Sequence, residues 1–313
     1  MTTRPSLLMI VPPGWGRFWE QPLTAGDIKL YIHGQDTYAP DAIDYALGFR
    51  PQPGFLKTLP KLKAVFSLGA GIDGFLSDPD FPKHVALVRF VDDTLSREMA
   101  QYVVLHVLIQ HRGERTFAAA QREAKWRQAM LPRPTEAARI GMLGIGEIGT
   151  MAAERLRDLG FPVSGWSRTR KSLAGIKSFA GADELDAFLA QSDFLICLLP
   201  LTPDTRHILS APLFAKLPKG AYVINVARGG HLVEADLIAA LDSGHLAGAT
   251  LDVFETEPLP ETSAIWKHPK IIATPHVAAI TSPHVAAKYV IDGIAAMERG
   301  EPLRNVVDFE RGY

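Results

Sequence analysis

Cysteine, long apolar runs and an excess of charge of either sign are all scarce in this chain, and each scarcity excludes something. One cysteine, Cys197, stands among 313 residues, so no disulfide can form within the chain. It lies in the apolar run "DFLICLLP", which reads as a buried strand, and no basic residue beside it in sequence would lower its pKa. The expectation is a packing thiol. Lysine and arginine total 33 against 34 aspartates and glutamates, a net charge of -1, which supplies no basic field for a polyanion such as nucleic acid. Near the N-terminus only Leu7 to Val11 are continuously apolar before Pro12-Pro13-Gly14, too few for the core of a secretory leader. No later stretch approaches the roughly 20 apolar residues that span a bilayer. A cytoplasmic protein is the default expectation.

The remaining composition, 47% hydrophobic and 21% charged, is that of a globular chain whose length suits two domains. The first hundred residues alternate short apolar runs, "LLMIV", "IKLYI", "DYALGF", "LKAVFSLGAG" and "VALVRF", with turn formers, which predicts a small α/β domain. From Ser96, a candidate N-cap, a long helix is expected through Met130, apolar on most sides and offering a surface to a second copy. After "LPRPTEAA" come six expected strands with helical crossovers: "RIGMLGI", "PVSGWS", "FLICLLP", "AYVINVA", "GATLDVF" and "IIATPH". That order predicts a doubly wound parallel sheet. A last helix is expected from Pro283, capped by Ser282, to Arg299, stopped by Gly300.

Gly144-Ile145-Gly146-Glu147-Ile148-Gly149 places G-x-G-x-x-G between a strand and a helix, the context in which it binds a dinucleotide. The first glycine permits the tight turn, the second lets the pyrophosphate approach backbone, and the third lets the helix pack closely. Sites of this kind for NAD place an acid at the end of the second strand, on the ribose hydroxyls. Here that position is Ser167, followed by Arg168, Arg170 and Lys171. Loss of the acid together with gain of cations predicts NADP(H) in preference to NAD(H).

Ionisable residues then follow three successive expected strands, where open α/β sheets bind ligands: Arg228 in "VINVARGGHLVEADL", Glu257 in "LDVFETEPLP" and His276 in "IIATPHVAAIT". Reduction of a 2-oxo acid needs a cation for the carboxylate, a proton for the carbonyl oxygen and a hydride. Arg228 supplies the fork, His276 the proton and a nicotinamide cofactor the hydride, with Glu257 holding His276 and favouring the imidazolium. None of the histidines forms an i, i+4 pair, and the acids of "LDVFETE" lack partners at ligand spacing, so no metal is expected.

"LGIGEIG", "NVARGGHLVEADL", "LDVFETEPLP" and "TPHVAAIT" resemble the D-2-hydroxyacid dehydrogenase family, and "WSRTRKS", "SFAG", "LPKGAY", "ALDSG" and "RGY" are similar to its glyoxylate/hydroxypyruvate reductase A branch. The resemblance implies a Rossmann cofactor domain (98–282) inserted in a smaller flavodoxin-like α/β substrate domain (1–97 and 283–313), in a homodimer. It implies that Arg228, Glu257 and His276 are the catalytic set. Leu199, Pro200, Val226, Ala227 and Asp252 become implied cofactor contacts, although Asp252 also reads as an acid capping a strand-end turn. "SLGAGID" becomes the loop whose N–H groups bind the substrate carboxylate, which makes Ala70 and Gly71 candidates. The chain departs from the branch after "YAL", where Phe49 and Arg50 stand in place of a tryptophan, so the pocket wall and the preferred oxo acid are open. Small 2-oxo acids, glyoxylate and hydroxypyruvate, are the expected substrates. Larger ones such as phenylpyruvate are the alternative within the class, and a non-catalytic cofactor-sensing binding protein is the alternative outside it. Such a protein would not need the Arg, Glu and His set and would usually carry partner-binding tails.

Overall fold

The computed structural model describes residues 4–128 and 133–310. The "RGY" end and the expected helical residues 129–130 lie outside them. The chain divides into two compact units, Met1–Asp92 with Thr281–Tyr313, and Asp93–Ile280.

The first unit begins with β1 (Ser6–Ile10), α1 (Gly16–Thr24), β2 (Lys29–Ile32), β3 (Tyr45–Gly48), β4 (Ala64–Ser67), α2 (Asp73–Leu76) and β5 (Ala86–Val88). The strands form one parallel sheet in the order β2-β1-β3-β4-β5, the flavodoxin-like order. Parallel central strands are covered on both faces, which is why "YALG" and "AVFS" are buried at every position, while edge strand β2 exposes Lys29. Leu8, Ala46, Val65, Phe75 and Leu87 pack in its core. Full burial of a side chain such as Leu8 is worth roughly 1.5–3 kcal/mol.

The second unit opens on α3 (Asp93–His111), followed by α4 (Glu114–Arg122). The expected continuous helix therefore begins before Ser96, which sits buried in its first turn rather than at a cap. It also breaks at Gly113, whose φ of 68° no helix accommodates. Then come β6 (Ile140–Leu143), α5 (Glu147–Asp158), β7 (Val163–Ser167), β8 (Ile176–Ala180), α6 (Leu185–Leu189), β9 (Phe194–Cys197), α7 (Ala211–Phe214), β10 (Ala221–Asn225), α8 (Glu234–Asp242), β11 (Leu246–Leu251) and β12 (Ile271–Ala273). The sheet has seven strands, not six, in the order β12-β11-β10-β9-β6-β7-β8. The additional strand, β8, is parallel to β7 and reached by residues 168–175 without a helix. A parallel crossover this short is unusual, and the missing helix removed the pattern that would have announced the strand.

Cys197 is fully buried at the end of β9, and burial pushes its thiol up to about 12, as a packing residue requires. The chain returns to the first unit with α9 (Pro283–Glu298), entered through Ser282 and Pro283 and followed by Gly300 at a φ of 74°. This helix packs on α1. The Tyr45 hydroxyl and Lys63 both donate to Glu298 Oε1, at 2.5 and 2.7 Å, fixing its last turn to the sheet. No helix among the described residues is long and apolar enough to cross a membrane.

Candidate active site

The glycine turn joins β6 to α5. Gly144 adopts a φ of 100°, and a Cβ there would lie 2.7 Å from the Leu198 carbonyl oxygen. Gly149 packs α5 against the turn so closely that a Cβ would fall 2.0 Å from the Gly144 carbonyl oxygen. Gly146 is different: a Cβ there would meet nothing within 4 Å. It is the N-cap of α5, with Glu147 and Ile148 in the first turn. Two glycines thus serve packing of the turn, and the middle one leaves open space at a helix N-terminus, where the dipole favours an anion.

Ser167 ends β7, and its hydroxyl donates to the Thr169 carbonyl at 2.8 Å. The basic residues that follow differ in their commitments. Arg170 donates to the Ser178 carbonyl at 2.6 Å and pairs with Glu184 at 2.5 Å, so it ties the β7–β8 crossover down. Arg168 and Lys171 are exposed, and the Lys171 N–H donates to Ser178 Oγ.

Arg228 lies just beyond β10, after the buried Val226 and Ala227. The turn that carries it is set from within. The Ala227 N–H donates to Asn225 Oδ1 at 3.2 Å, Asn225 Nδ2 donates to the Arg228 carbonyl at 3.0 Å, and a guanidinium N–H donates to the Ala227 carbonyl at 2.7 Å. Gly229 is obligatory by packing, since a Cβ would overlap the Phe254 carbonyl carbon at 1.8 Å. Leu199 is buried beyond β9, and the neighbouring Pro200 is exposed, its carbonyl accepting from Thr205 Oγ1 at 2.6 Å.

Glu257 and His276 come from the loops after β11 and β12. Glu257 Oε2 accepts from His276 Nδ1 at 2.8 Å, and Oε1 accepts from the Phe254 N–H at 3.0 Å. The carboxylate fixes the proton on Nδ1 and leaves Nε2 as the imidazole nitrogen turned to other chemistry. Burial pushes the Glu257 carboxyl up, but the two hydrogen bonds and the charges of His276 and Arg228 outweigh it, holding the group below the ordinary glutamate range. His276 itself remains 37% exposed, open enough to meet a small molecule.

His276 has a φ of 55°, rare for a residue with a side chain, and a buried acid holds it there. Asp252, 1% exposed, accepts from Val277 N–H (2.9 Å) and Thr274 Oγ1 (2.6 Å) at Oδ1 and from Ala278 N–H (2.9 Å) at Oδ2. Its own carbonyl accepts from the His276 N–H at 2.8 Å. The turn-capping role of Asp252 is therefore present in full. From α3, the Tyr102 hydroxyl meets Thr274 Oγ1 at 2.5 Å, so with Thr274 donating to Asp252, Tyr102 is the donor to Thr274. Sequence patterns gave no signal for Tyr102 or Thr274, because each looks like an ordinary helix or strand-end residue.

In the first unit, Ala70 and Gly71 lie in the loop between β4 and α2. Ser67 Oγ shapes that loop, accepting from the Gly69 N–H and donating to the Gly71 carbonyl, each at 3.3 Å. Among the described residues, the N–H groups of Ala70 and Gly71 have no acceptor. Phe49 and Arg50 follow β3 beside this loop: a Cβ on Gly69 would stand 3.9 Å from the Phe49 ring, and Arg50 pairs with Asp73 at 3.1 Å. Among the described residues, no group of three or more His, Cys, Asp or Glu side chains converges as metal ligands would.

Residues 104–278 match the sequence model of the D-isomer specific 2-hydroxyacid dehydrogenase NAD binding domain. The chain belongs to the D-isomer specific 2-hydroxyacid dehydrogenase family. Within it, the chain is 42% identical over 306 residues, 96% of each protein, to glyoxylate/hydroxypyruvate reductase A of Klebsiella pneumoniae strain 342. Among solved structures, a D-isomer specific 2-hydroxyacid dehydrogenase from Xanthobacter autotrophicus Py2 in complex with NADPH and MES superposes with a TM-score of 0.94 at 42% identity, covering 99% of this chain and all of that one. An NADPH-dependent glyoxylate/hydroxypyruvate reductase from Sinorhizobium meliloti, in complex with NADP and sulfate, gives 0.92 at 38% identity, covering 99% of this chain and 100% of the other.

Proposed function

We propose that this chain is an NADPH-dependent reductase of small 2-oxo acids, converting glyoxylate to glycolate and hydroxypyruvate to glycerate. The observation that carries the reading is the His276–Glu257 pair at 2.8 Å, one loop from Arg228 and on the same sheet as the glycine turn.

The residues fit a dinucleotide phosphate: Gly146 leaves space at the α5 N-terminus, and β7 ends on Ser167 and Arg168 where an acid would repel a 2′-phosphate. Gly144, Gly146, Glu147 and Ile148 would hold the pyrophosphate, Ser167, Arg168 and Lys171 the ribose phosphate, and Leu199, Pro200, Val226 and Ala227 the path toward the nicotinamide. Arg170 contributes through the crossover it anchors. Bound NADPH supplies a hydride at C4 of its nicotinamide.

Arg228 presents a planar fork that binds the substrate carboxylate in two places, a geometry lysine cannot copy. In the first unit, the proposed contribution to carboxylate binding is the N–H pair of Ala70 and Gly71. His276 donates its Nε2 proton to the carbonyl oxygen as C2 receives the hydride, leaving a 2-hydroxy acid and a neutral imidazole. Glu257 remains ionised throughout and stabilises the imidazolium before transfer. Asp252 supports the loop, with a nicotinamide amide as a further partner for its carboxylate. The homodimer expected from the family is part of the proposal, and sedimentation of the purified protein at twice the chain mass tests it.

The decisive assay follows NADPH oxidation at 340 nm with glyoxylate, hydroxypyruvate and phenylpyruvate, using His276→Ala as the blank. Turnover of the two small acids that vanishes in the blank supports the reading. A higher kcat/KM for phenylpyruvate would overturn the substrate assignment, and wild-type activity equal to the blank would overturn the chemistry.

A further inference from the structure

The turn that carries Arg228 contains a second histidine, His231, which the reaction does not use and which is 0% exposed. Both of its ring nitrogens lie beside backbone atoms. Nε2 lies 3.3 Å from the Pro200 carbonyl oxygen, beyond β9, and Nδ1 lies 3.2 Å from the Arg228 N–H nitrogen and 3.1 Å from the Arg228 carbonyl oxygen. A proton on Nε2 gives the ring two hydrogen bonds, Nε2–H donating to the Pro200 carbonyl and Nδ1 accepting from the Arg228 N–H, whereas a proton on Nδ1 gives one, to the Arg228 carbonyl. The Nε2–H tautomer therefore makes the larger number of bonds.

From this geometry we infer that His231 is a positioning residue for Arg228: a buried imidazole that orients the peptide entering the arginine and so aims its guanidinium. The inference rests on the proposed reductase function, in which that guanidinium binds the substrate carboxylate. Three features make His231 the element that sets the arginine rather than a general core residue. Arg228 has extended backbone (φ -145°, ψ 149°) immediately before the Gly229–His231 turn, so rotation of its entering peptide swings the side chain. The Arg228 carbonyl, 3.1 Å from Nδ1, is also held by Asn225 Nδ2, whereas the Arg228 N–H donates to Nδ1. The Pro200 carbonyl, in contrast, has a second donor in Thr205 Oγ1, so the segment beyond β9 keeps an anchor when the imidazole is removed. Loss of the ring should therefore fall on substrate binding more than on cofactor binding.

The test uses His231→Leu, which keeps the volume and removes both polar bonds, and His231→Asn, whose Oδ1 can stand where Nδ1 stands and accept from the Arg228 N–H. For each protein, KM and kcat with glyoxylate, the Kd of NADPH by fluorescence, and the Kd of oxalate in the presence of NADP+ by calorimetry are measured, oxalate being a two-carbon carboxylate probe that is not turned over. Removing a buried acceptor and misdirecting a charged fork should raise KM and the oxalate Kd of His231→Leu roughly 10- to 100-fold, with the NADPH Kd changed less than about threefold. His231→Asn should recover most of the oxalate affinity. The inference is overturned if His231→Leu matches wild type, if it weakens oxalate and NADPH equally, or if His231→Asn is as weak as His231→Leu. Should His231→Leu fail to fold, His231→Asn against wild type decides alone: a rise of more than tenfold in its oxalate Kd overturns the inference, and retention within threefold supports it. Wild-type protein that turns over no 2-oxo acid sinks the reductase reading and this inference together, whereas an active wild type with an unaffected His231→Leu sinks the inference only.

Discussion

The two units use the carboxyl ends of parallel strands in different ways. The first unit offers backbone: the Ala70 and Gly71 N–H groups, in a loop shaped by one serine hydroxyl. The second offers side chains, and each is held by polar groups: Arg228 by the buried Asn225 and His231, His276 by the partly exposed Glu257 and the buried Asp252. The difference fits the roles proposed for them. Holding an anion needs donors fixed by the fold and small side chains beside them, and a loop supplies those at little cost. Moving a proton needs a group whose orientation and charge are set by others, and each partner that is buried must itself be satisfied.

The largest expected effect lies in the second unit. His276→Ala should lower kcat with glyoxylate by about 10²–10⁴-fold, the range for loss of a general acid, with the NADPH Kd nearly unchanged. Steady-state rates and fluorescence titration check both halves, and a loss below tenfold would erase the contrast between the units. Next in size, Glu257→Gln should cost about 10- to 100-fold in kcat and alter the pH profile. Because the Glu257 carboxyl is held below the ordinary glutamate range, it stays charged across neutral and mildly acidic pH. The wild-type rate should therefore not fall from Glu257 protonation until well into acid. In Glu257→Gln, which has no carboxylate at this position to protonate, an acid limb of that origin should be absent.

A smaller effect is expected in the first unit. Ala70→Pro deletes one N–H donor, and KM for glyoxylate should rise about tenfold with kcat changed less, because the lost interaction is with the bound carboxylate rather than with the transferred proton. An equal fall in kcat would make the backbone loop as much a part of the chemistry as the side chains. Arg168→Ala should reduce the NADPH-to-NADH preference several-fold, read from kcat/KM with each cofactor, and equal loss with both would make Arg168 structural. The smallest effect concerns stability of the first unit. Hydrogen bonds from Lys63 and Tyr45 hold the Glu298 carboxyl below its ordinary range. A depressed carboxyl stabilises the fold above its unfolded-state pKa, and that contribution is lost as pH falls through the folded value. The site is partly exposed and screened, so Glu298→Gln should change the urea unfolding free energy at pH 7 by about 0.2–1 kcal/mol, with the difference from wild type vanishing in acid.

Much of this was legible before any coordinates. The five strands of the first unit announce themselves as apolar runs between turn formers, and six of the seven in the second do so between helical segments. The seventh, β8, escaped because its crossover lacks the helix that marks a parallel return. The break at Gly113 escaped because a lone glycine inside a helical pattern is tolerated, and only the backbone dihedral reveals the turn. In the site, Arg228, Glu257 and His276 were expected because ionisable residues follow three successive apolar strands, although Asp252 and Glu255 share the stretch of Glu257. Asp252 read two ways, and its three hydrogen bonds to the 274–278 loop were not readable, since they join residues more than twenty positions apart.

Residue order along the chain was enough to specify two parallel sheets, a glycine turn for a dinucleotide and the kinds of reactive groups at the strand ends, because periodicity, turn chemistry and charge are local properties. The orientation of those groups was settled by folding alone. A left-handed backbone at His276, a buried imidazole at His231 set against the Arg228 and Pro200 backbone, and a depressed carboxyl at Glu257 all depend on partners brought together by the fold, and hydrogen bonds and burial act through distance in space.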